Sequence, residues 1–180
     1  MASDIAHAVL RLRKATERDA PLLTELEQSA GLSYRVDPEI AWVADGENLS
    51  PERYREIIAD GWSWVAEHKH AEPVAFIAVT REGRELHIWE FDVRIDCQRR
   101  GIGRRLLQRL IAEATAAGLS AITLTTFRDV PWNGPFYQSM GFASLAPEKL
   151  DARLAALLAA EIDKGLPAAR RCAMRKALQS

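Results

Sequence analysis

From Ala8 the chain alternates apolar and charged residues, "AVLRLRKAT", the period-two pattern of a strand with one buried face. Thr16 with Asp19 offers a capping-box start to the helical spacing of "ERDAPLLTELEQSAG", which runs to Gly31. A polar and aromatic stretch, "LSYRVDPEIAWVADGENL", reads as a long loop. Ser50 and Pro51 then supply an N-cap and first-turn proline for "ERYREIIAD", stopped at Gly61. Three strand-like runs follow, "WSWVAE", "PVAFIAVT" and "ELHIWEFDV". Their connections, "HKHAE" and "REGR", are short enough for hairpins, so an antiparallel meander is predicted.

The helix "GRRLLQRLIAEATAAG" places Leu106, Leu107, Leu110, Ile111, Ala114 and Ala117 along one face, with Gly118 as its stop. It feeds "SAITLTTF", another strand, and a strand, helix and strand in that order form a right-handed crossover between parallel neighbours. A short helix within "RDVPWNGPFYQSMGF" stops at Gly141. The tail then holds a helix candidate, "EKLDARLAALLAAEIDKG", and a last strand-like run, "RRCAMRKAL". The expected fold class is α/β: a mixed, mostly antiparallel sheet with one parallel pair, flanked by helices. A single domain spanning 1–180 is expected, with a C-terminal helix-strand extension over about 144–180.

With 24 basic and 25 acidic side chains, a formal net charge of −1 gives no reason to expect nucleic acid as a partner. No apolar run approaches the roughly eighteen residues of a membrane span, and "MASDIAHAVLRLRK" lacks a secretory h-region. A soluble, cytoplasmic protein without a membrane partner is expected. Cys97 and Cys172 show no metal-ligand or disulfide-scaffold spacing, and both read as packed free thiols. His68 and His70 read as a solvated hairpin tip, and no metal site is expected.

The stretch "DCQRRGIGRRLLQRL" carries the chemistry. Gly101 and Gly103 fall between a strand and a helix, where the backbone turns tightly and aims N–H groups and the helix dipole at an anion. Six arginines lie between Arg94 and Arg109 against one acidic residue, Asp96, so a phosphate is the natural guest. A Walker A loop, GxxxxGK[ST], is absent. A dinucleotide fingerprint would need a third glycine where Leu106 stands.

Set between three antiparallel strands and a later aromatic "FYxxxGF" element, this turn resembles the GNAT acetyltransferases. The family signature [QR]xxGx[GA] is matched by Gln98, Gly101 and Gly103, and the later motif by Phe136, Tyr137, Gly141 and Phe142. The resemblance runs from about Val9 to Phe142 and is sharpest from Glu85 onward. It implies acetyl-CoA as co-substrate, its pyrophosphate bound by the backbone of Gln98, Arg99, Arg100, Gly101, Ile102, Gly103 and Arg104. Two departures stand out: Ile95 where the family usually has Pro, and Arg99 where it often has Gly.

The resemblance further implies a thioester carbonyl polarised by a backbone N–H between Phe91 and Val93, and Tyr137 as the acid at the leaving sulfur. Phe136 and Met140, four apart, read as core, which leaves Tyr137 on another face of its helix. The base is Glu90, His87 or bulk water acting through either. Glu90 is a carboxylate in an apolar run, costly to bury without a role. His87 has a suitable ordinary pKa, and its alternative is a half-exposed strand position. Asn133 is a weaker cofactor-binding candidate, its alternative being a helix cap.

The expected reaction is acetyl transfer to a small-molecule primary amine by direct attack in a ternary complex. A protein or peptide acceptor and a non-catalytic acyl-CoA-binding module are the alternatives. Tyr34, Trp42, Trp62, Trp64 and Trp132 are candidates for a pocket or for core. The tail reads as core packing through "LAALLAA", as a wall of the acceptor site, or as an oligomer contact such as a homodimer.

Overall fold

The computed structural model describes residues 10–68 and 72–179. The elements are β1 (Leu10–Lys14), α1 (Ala20–Gly31), α2 (Pro51–Ala59), β2 (Trp64–His68), β3 (Pro73–Glu82) and β4 (Glu85–Val93), then α3 (Ile102–Ala116) and β5 (Ala121–Phe127). After these come α4 (Gly134–Ser139), β6 (Ala143–Ser144), α5 (Ala152–Asp163) and β7 (Arg171–Ala177). The strands hydrogen-bond in the order β1-β2-β3-β4-β5-β7-β6. β4 and β5 run parallel, from Glu85 opposite Ala121 to Ile88 opposite Leu124. The expected mixed, mostly antiparallel sheet with one parallel pair is therefore present.

The chain divides into two compact units, Met1–Thr80 with Glu90–Leu110, and Arg81–Trp89 with Ile111–Ser180. In the first unit β1 pairs with β2 from Leu10 opposite His68 to Lys14 opposite Trp64. Ala8 and Val9, the start of the predicted strand, lie outside the described residues. Arg13 fastens this edge: its guanidinium donates to Asp19 at 2.8 Å and to Glu67 at 2.8 Å, while Asp19 accepts the Thr16 N–H at 2.7 Å. The Ser50 hydroxyl caps α2 by accepting the Arg53 N–H at 3.2 Å.

The expected long loop after α1 holds two 3-10 turns, Leu32–Val36 and Ala41–Asp45, because Ile40 and Ala44 are buried. Its far end is tied to α1 at Leu49, whose N–H donates to Glu27 at 3.0 Å and whose carbonyl accepts the Thr24 hydroxyl at 2.9 Å.

Leu106, Leu107, Leu110 and Ala114 form the buried face of α3. Ile111 is half-buried and Ala117 exposed, since the helix ends at Ala116, one residue short of the predicted stripe. Gly118 stops it with φ +69°, and the next N–H, from Leu119, reaches back to the Ala114 carbonyl at 3.0 Å.

In the second unit β5 and β7 pair over seven positions, from Ala121 opposite Ala177 to Phe127 opposite Arg171. The expected core packing of "LAALLAA" is partial: Leu154 is buried, Leu157 and Leu158 are half-buried, and the four alanines of the run are exposed. Polar bonds also hold this helix. Glu161 accepts from Thr125 at 2.5 Å and from Arg171 at 2.9 Å.

Cys97 and Cys172 are buried free thiols, and burial pushes both above the ordinary thiol value. His68 departs from the solvated-tip expectation, because both its ring nitrogens are enclosed; His70 lies outside the described residues. Among the described residues no helix is long and apolar enough to cross a membrane.

Candidate active site

The glycine turn begins where β4 ends. A 3-10 turn over Ile95–Cys97 is closed by the Cys97 N–H to the Arg94 carbonyl at 2.8 Å. Gln98 then folds its side chain back, its amide donating to the Val93 carbonyl at 3.0 Å. This explains why a long donor stands at the first position of the motif: it ties the turn to the strand end. Arg99 has φ +59° and Gly101 φ +76°, so two left-handed residues reverse the chain before α3. Arg99 takes the conformation glycine adopts without cost, which costs an L-residue about 1–2 kcal/mol.

The Arg105 N–H bonds the Gly101 carbonyl at 3.1 Å, and the N–H groups of Ile102, Gly103 and Arg104 precede that bond in the first turn of α3. Gly103 sits against β4: a Cβ there would lie 3.4 Å from Phe91 Cζ and 3.5 Å from Val93 Cγ2. Two of the six arginines have other work. Arg94 holds Asp96 at 2.7 Å, and Arg109 stacks over the Trp64 ring at 4.5 Å. Lys14 covers the same ring at 4.7 Å, so Trp64 is engaged by the protein's own cations.

Phe91 and Val93 face Gly103, so strand alternation turns Glu90 and Asp92 to the opposite face of β4. Electrostatics agrees with this placement. Burial first, then Glu90, Glu27 and Asp92, push the Tyr54 phenol far above its ordinary value. Burial and then Glu27 push Asp92 well above the usual carboxylate range. Glu27, on α1, accepts the Tyr54 hydroxyl at 2.7 Å and the Leu49 N–H at 3.0 Å. Sequence reading reached Glu90 but missed Glu27 and Asp92. The available signal for Glu27 was its place in the apolar stripe of Leu23, Leu26 and Ala30.

In the second unit His87 is 1% exposed, which corrects the half-exposed alternative. Its Nδ1 lies 3.0 Å from the Thr123 hydroxyl, and its ring meets Trp89 edge-on at 4.8 Å. Arg153, a residue the sequence reading did not single out, donates to the same hydroxyl at 3.2 Å. Burial first, then Arg153, push His87 down to about 3, so the ordinary imidazole range does not apply. The unfolded chain therefore takes up this proton first as pH falls. Stability from the neutral ring is complete above about 6.5 and is lost as pH falls toward 3. In acid-unfolding curves, His87→Gln is expected to flatten the pH dependence across that window; an unchanged slope would refute the assignment.

Tyr137 is 8% exposed and packs edge-on against Phe136 at 5.4 Å and Phe142 at 5.6 Å. This corrects part of the expected division around α4: Met140 is buried as expected, but Tyr137 is buried with it and Phe136 is only half-buried. Asn133 stands at the N-cap position of α4, yet its side chain makes no cap. The amide donates instead to the Thr126 hydroxyl at 2.9 Å. Gly134 is obligatory, since a Cβ there would lie 2.4 Å from the Arg128 carbonyl oxygen.

A tight glycine turn leads from β4 into α3, and β5 then runs parallel to β4. The chain belongs to the acetyltransferase (GNAT) family, whose family model matches residues 25–142. It is similar to the PaiA N-acetyltransferase of Thermoplasma acidophilum, solved in complex with coenzyme A, at 15% identity and TM-score 0.68, over 94% of this chain and 99% of that one. The ribosomal-protein-S18-alanine N-acetyltransferase of Escherichia coli matches at 16% identity and TM-score 0.66, over 96% of each chain. N-acetylglutamate synthase of Neisseria gonorrhoeae, complexed with coenzyme A and N-acetyl-glutamate, matches at 18% identity and TM-score 0.69. That match spans 97% of this chain and 36% of the synthase. The protein is an acetyltransferase, and acetyl-CoA is the co-substrate its family uses.

Proposed function

We propose that the protein acetylates the primary amine of a small molecule by direct attack on acetyl-CoA in a ternary complex. The turn from Gln98 to Arg104 carries this reading. Its left-handed Arg99 and Gly101, its first-turn N–H groups and the absence of a side chain at Gly103 fit a pyrophosphate laid across the start of α3. Relatives solved with coenzyme A support the same guest.

In the proposed reaction a neutral amine attacks the thioester carbon, polarised by a backbone N–H between Phe91 and Val93. Collapse of the tetrahedral adduct breaks the carbon–sulfur bond; Tyr137 gives its proton to the departing thiolate, and the surplus proton of the former amine nitrogen passes to the phenolate, directly or through water, leaving the amide and a neutral Tyr137. Glu90 takes the proton from the acceptor's ammonium, directly or through water. His87 is the poorer base of the two candidates, because burial and the Arg153 guanidinium disfavour its imidazolium. Asn133, bonded to Thr126, serves to place α4.

An amine panel with acetyl-CoA, read as free thiol and by mass spectrometry of the products, tests the proposal. Thiol release with simple amines is the expected result; turnover with peptides alone would overturn the small-molecule acceptor. Arg99 has its own test. Arg99→Gly removes a left-handed cost of about 1–2 kcal/mol and adds about 0.4–1 kcal/mol of unfolded-state entropy. A denaturant midpoint equal to or above wild type is expected, together with weaker coenzyme A binding. Unchanged affinity would remove the guanidinium from the phosphate site.

A further inference from the structure

Tyr137 stands on a helix too short to place itself. α4 has six residues, and helices below about 12–15 residues gain little from their own hydrogen bonds, so the direction of this one is imposed from outside. The ring contacts of Tyr137 with Phe136 and Phe142 lie within the same segment and move with it, so they do not fix it against the sheet.

Asn133 does. With φ −110° and ψ −107° its backbone lies outside the extended conformation of an ordinary N-cap, and the side chain turns away from the first turn of α4. It reaches β5 instead, where the amide donates to the Thr126 hydroxyl at 2.9 Å. Thr126 is 3% exposed, and at that depth the bond is little weakened by water. The Asn133 carbonyl in turn accepts the Tyr137 N–H at 3.0 Å. One residue therefore carries both bonds of a path from the sheet to the tyrosine backbone. The next residue tightens the same mounting. A Cβ on Gly134 would collide with the Arg128 carbonyl, and Arg128, one residue past the end of β5, is tied by its N–H to the Arg170 carbonyl at 2.8 Å.

We infer that Asn133 is a positioning residue of the acetyl transfer: through Thr126 it mounts α4 on the end of β5 and so sets the place of the Tyr137 hydroxyl at the departing sulfur. The inference rests on the reading of Tyr137 as the acid, and it gives Asn133 a part in turnover instead of in cofactor binding. A general acid is sensitive to its mounting, because the proton passes only over hydrogen-bond distance and a misplacement of about 1 Å can lower a rate on the order of 10²-fold.

Two readouts test this on the whole protein. One is kcat for thiol release from acetyl-CoA with pentylamine as acceptor. The other needs no acceptor: the pH at which bound coenzyme A loses its thiol proton, followed by thiolate absorbance, since a phenol aimed at the sulfur favours the thiolate. Asn133→Ala and Thr126→Val are each expected to lower kcat about tenfold, to keep coenzyme A affinity within about twofold, and to raise the thiol titration toward that of Tyr137→Phe. Thr126→Ser keeps the hydroxyl and is expected to restore both readouts. Added to Tyr137→Phe, Asn133→Ala should lower kcat no further, because nothing is left to position. An additional loss in that double variant would overturn the inference. So would coenzyme A affinity that falls tenfold or more in Asn133→Ala, which would make Asn133 a cofactor contact. Where Asn133→Ala fails to fold, Thr126→Val carries the same comparison. The two failures are distinct: an impaired Tyr137→Phe beside a normal Asn133→Ala overturns the inference and leaves the acid standing, whereas a normal Tyr137→Phe sinks the acid and the inference with it.

Discussion

Tyr137→Phe is expected to lower kcat by about 10²-fold while leaving coenzyme A affinity nearly intact, the signature of an acid needed only as the thiolate departs. The packing makes this a clean substitution. The ring is buried between Phe136 and Phe142, and the phenylalanine keeps both edge-on contacts. Only the hydroxyl is lost, so stability should shift by about 1 kcal/mol. Measuring kcat, coenzyme A affinity and melting temperature on one preparation separates the outcomes. A normal kcat with a lowered melting temperature would reduce Tyr137 to a core residue and restore the non-catalytic binding reading.

Gly103 gives the second large effect, on binding. Its Cβ position lies 3.4 Å from Phe91 Cζ and 3.5 Å from Val93 Cγ2, so a single methyl fits with little movement and the two extra carbons of valine do not. Gly103→Val must displace either β4 or the start of α3, at a cost of about 1–3 kcal/mol typical of overpacking. The displaced N–H groups no longer converge, and coenzyme A affinity is expected to fall at least about a hundredfold, or about 2.7 kcal/mol. Gly103→Ala should lose far less. Unchanged affinity in the valine variant, measured calorimetrically, would remove this turn from the phosphate site.

The sheet, its one parallel pair and the glycine turn were legible because each is written in local patterns. Alternation in "ELHIWEFDV", the stop at Gly118 and the Gln98–Gly101–Gly103 spacing need no knowledge of distant partners. What sequence reading missed depends on such partners. Glu27 and Tyr54 are 27 residues apart, and His87 and Thr123 are 36 apart. No local period reveals that a carboxylate or an imidazole will be enclosed there. The helix α4 misled for another reason: six residues make too few turns for a four-residue spacing to fix the buried face, and Tyr137 took the place assigned to Phe136. In α5 the alanine-rich run looked apolar enough for core, yet only Leu154 is buried.

The strand order β5-β7-β6 has a kinetic corollary. β6 is made before β7 in the chain, but its described pairs, Ala143 with Arg175 and Ser144 with Met174, exist only once β7 is in place. All seven positions of β5 that face β7 likewise wait for residues 171–177. Until that insertion, β5 presents an unpaired edge of "AITLTTF", rich in β-branched residues, to any other chain that can add a strand. Closing pairs of such long sequence separation is slow. The second unit should therefore finish folding last, and refolding at high protein concentration should lose material to aggregation through this edge, at a stage when the first unit already has its own strands paired.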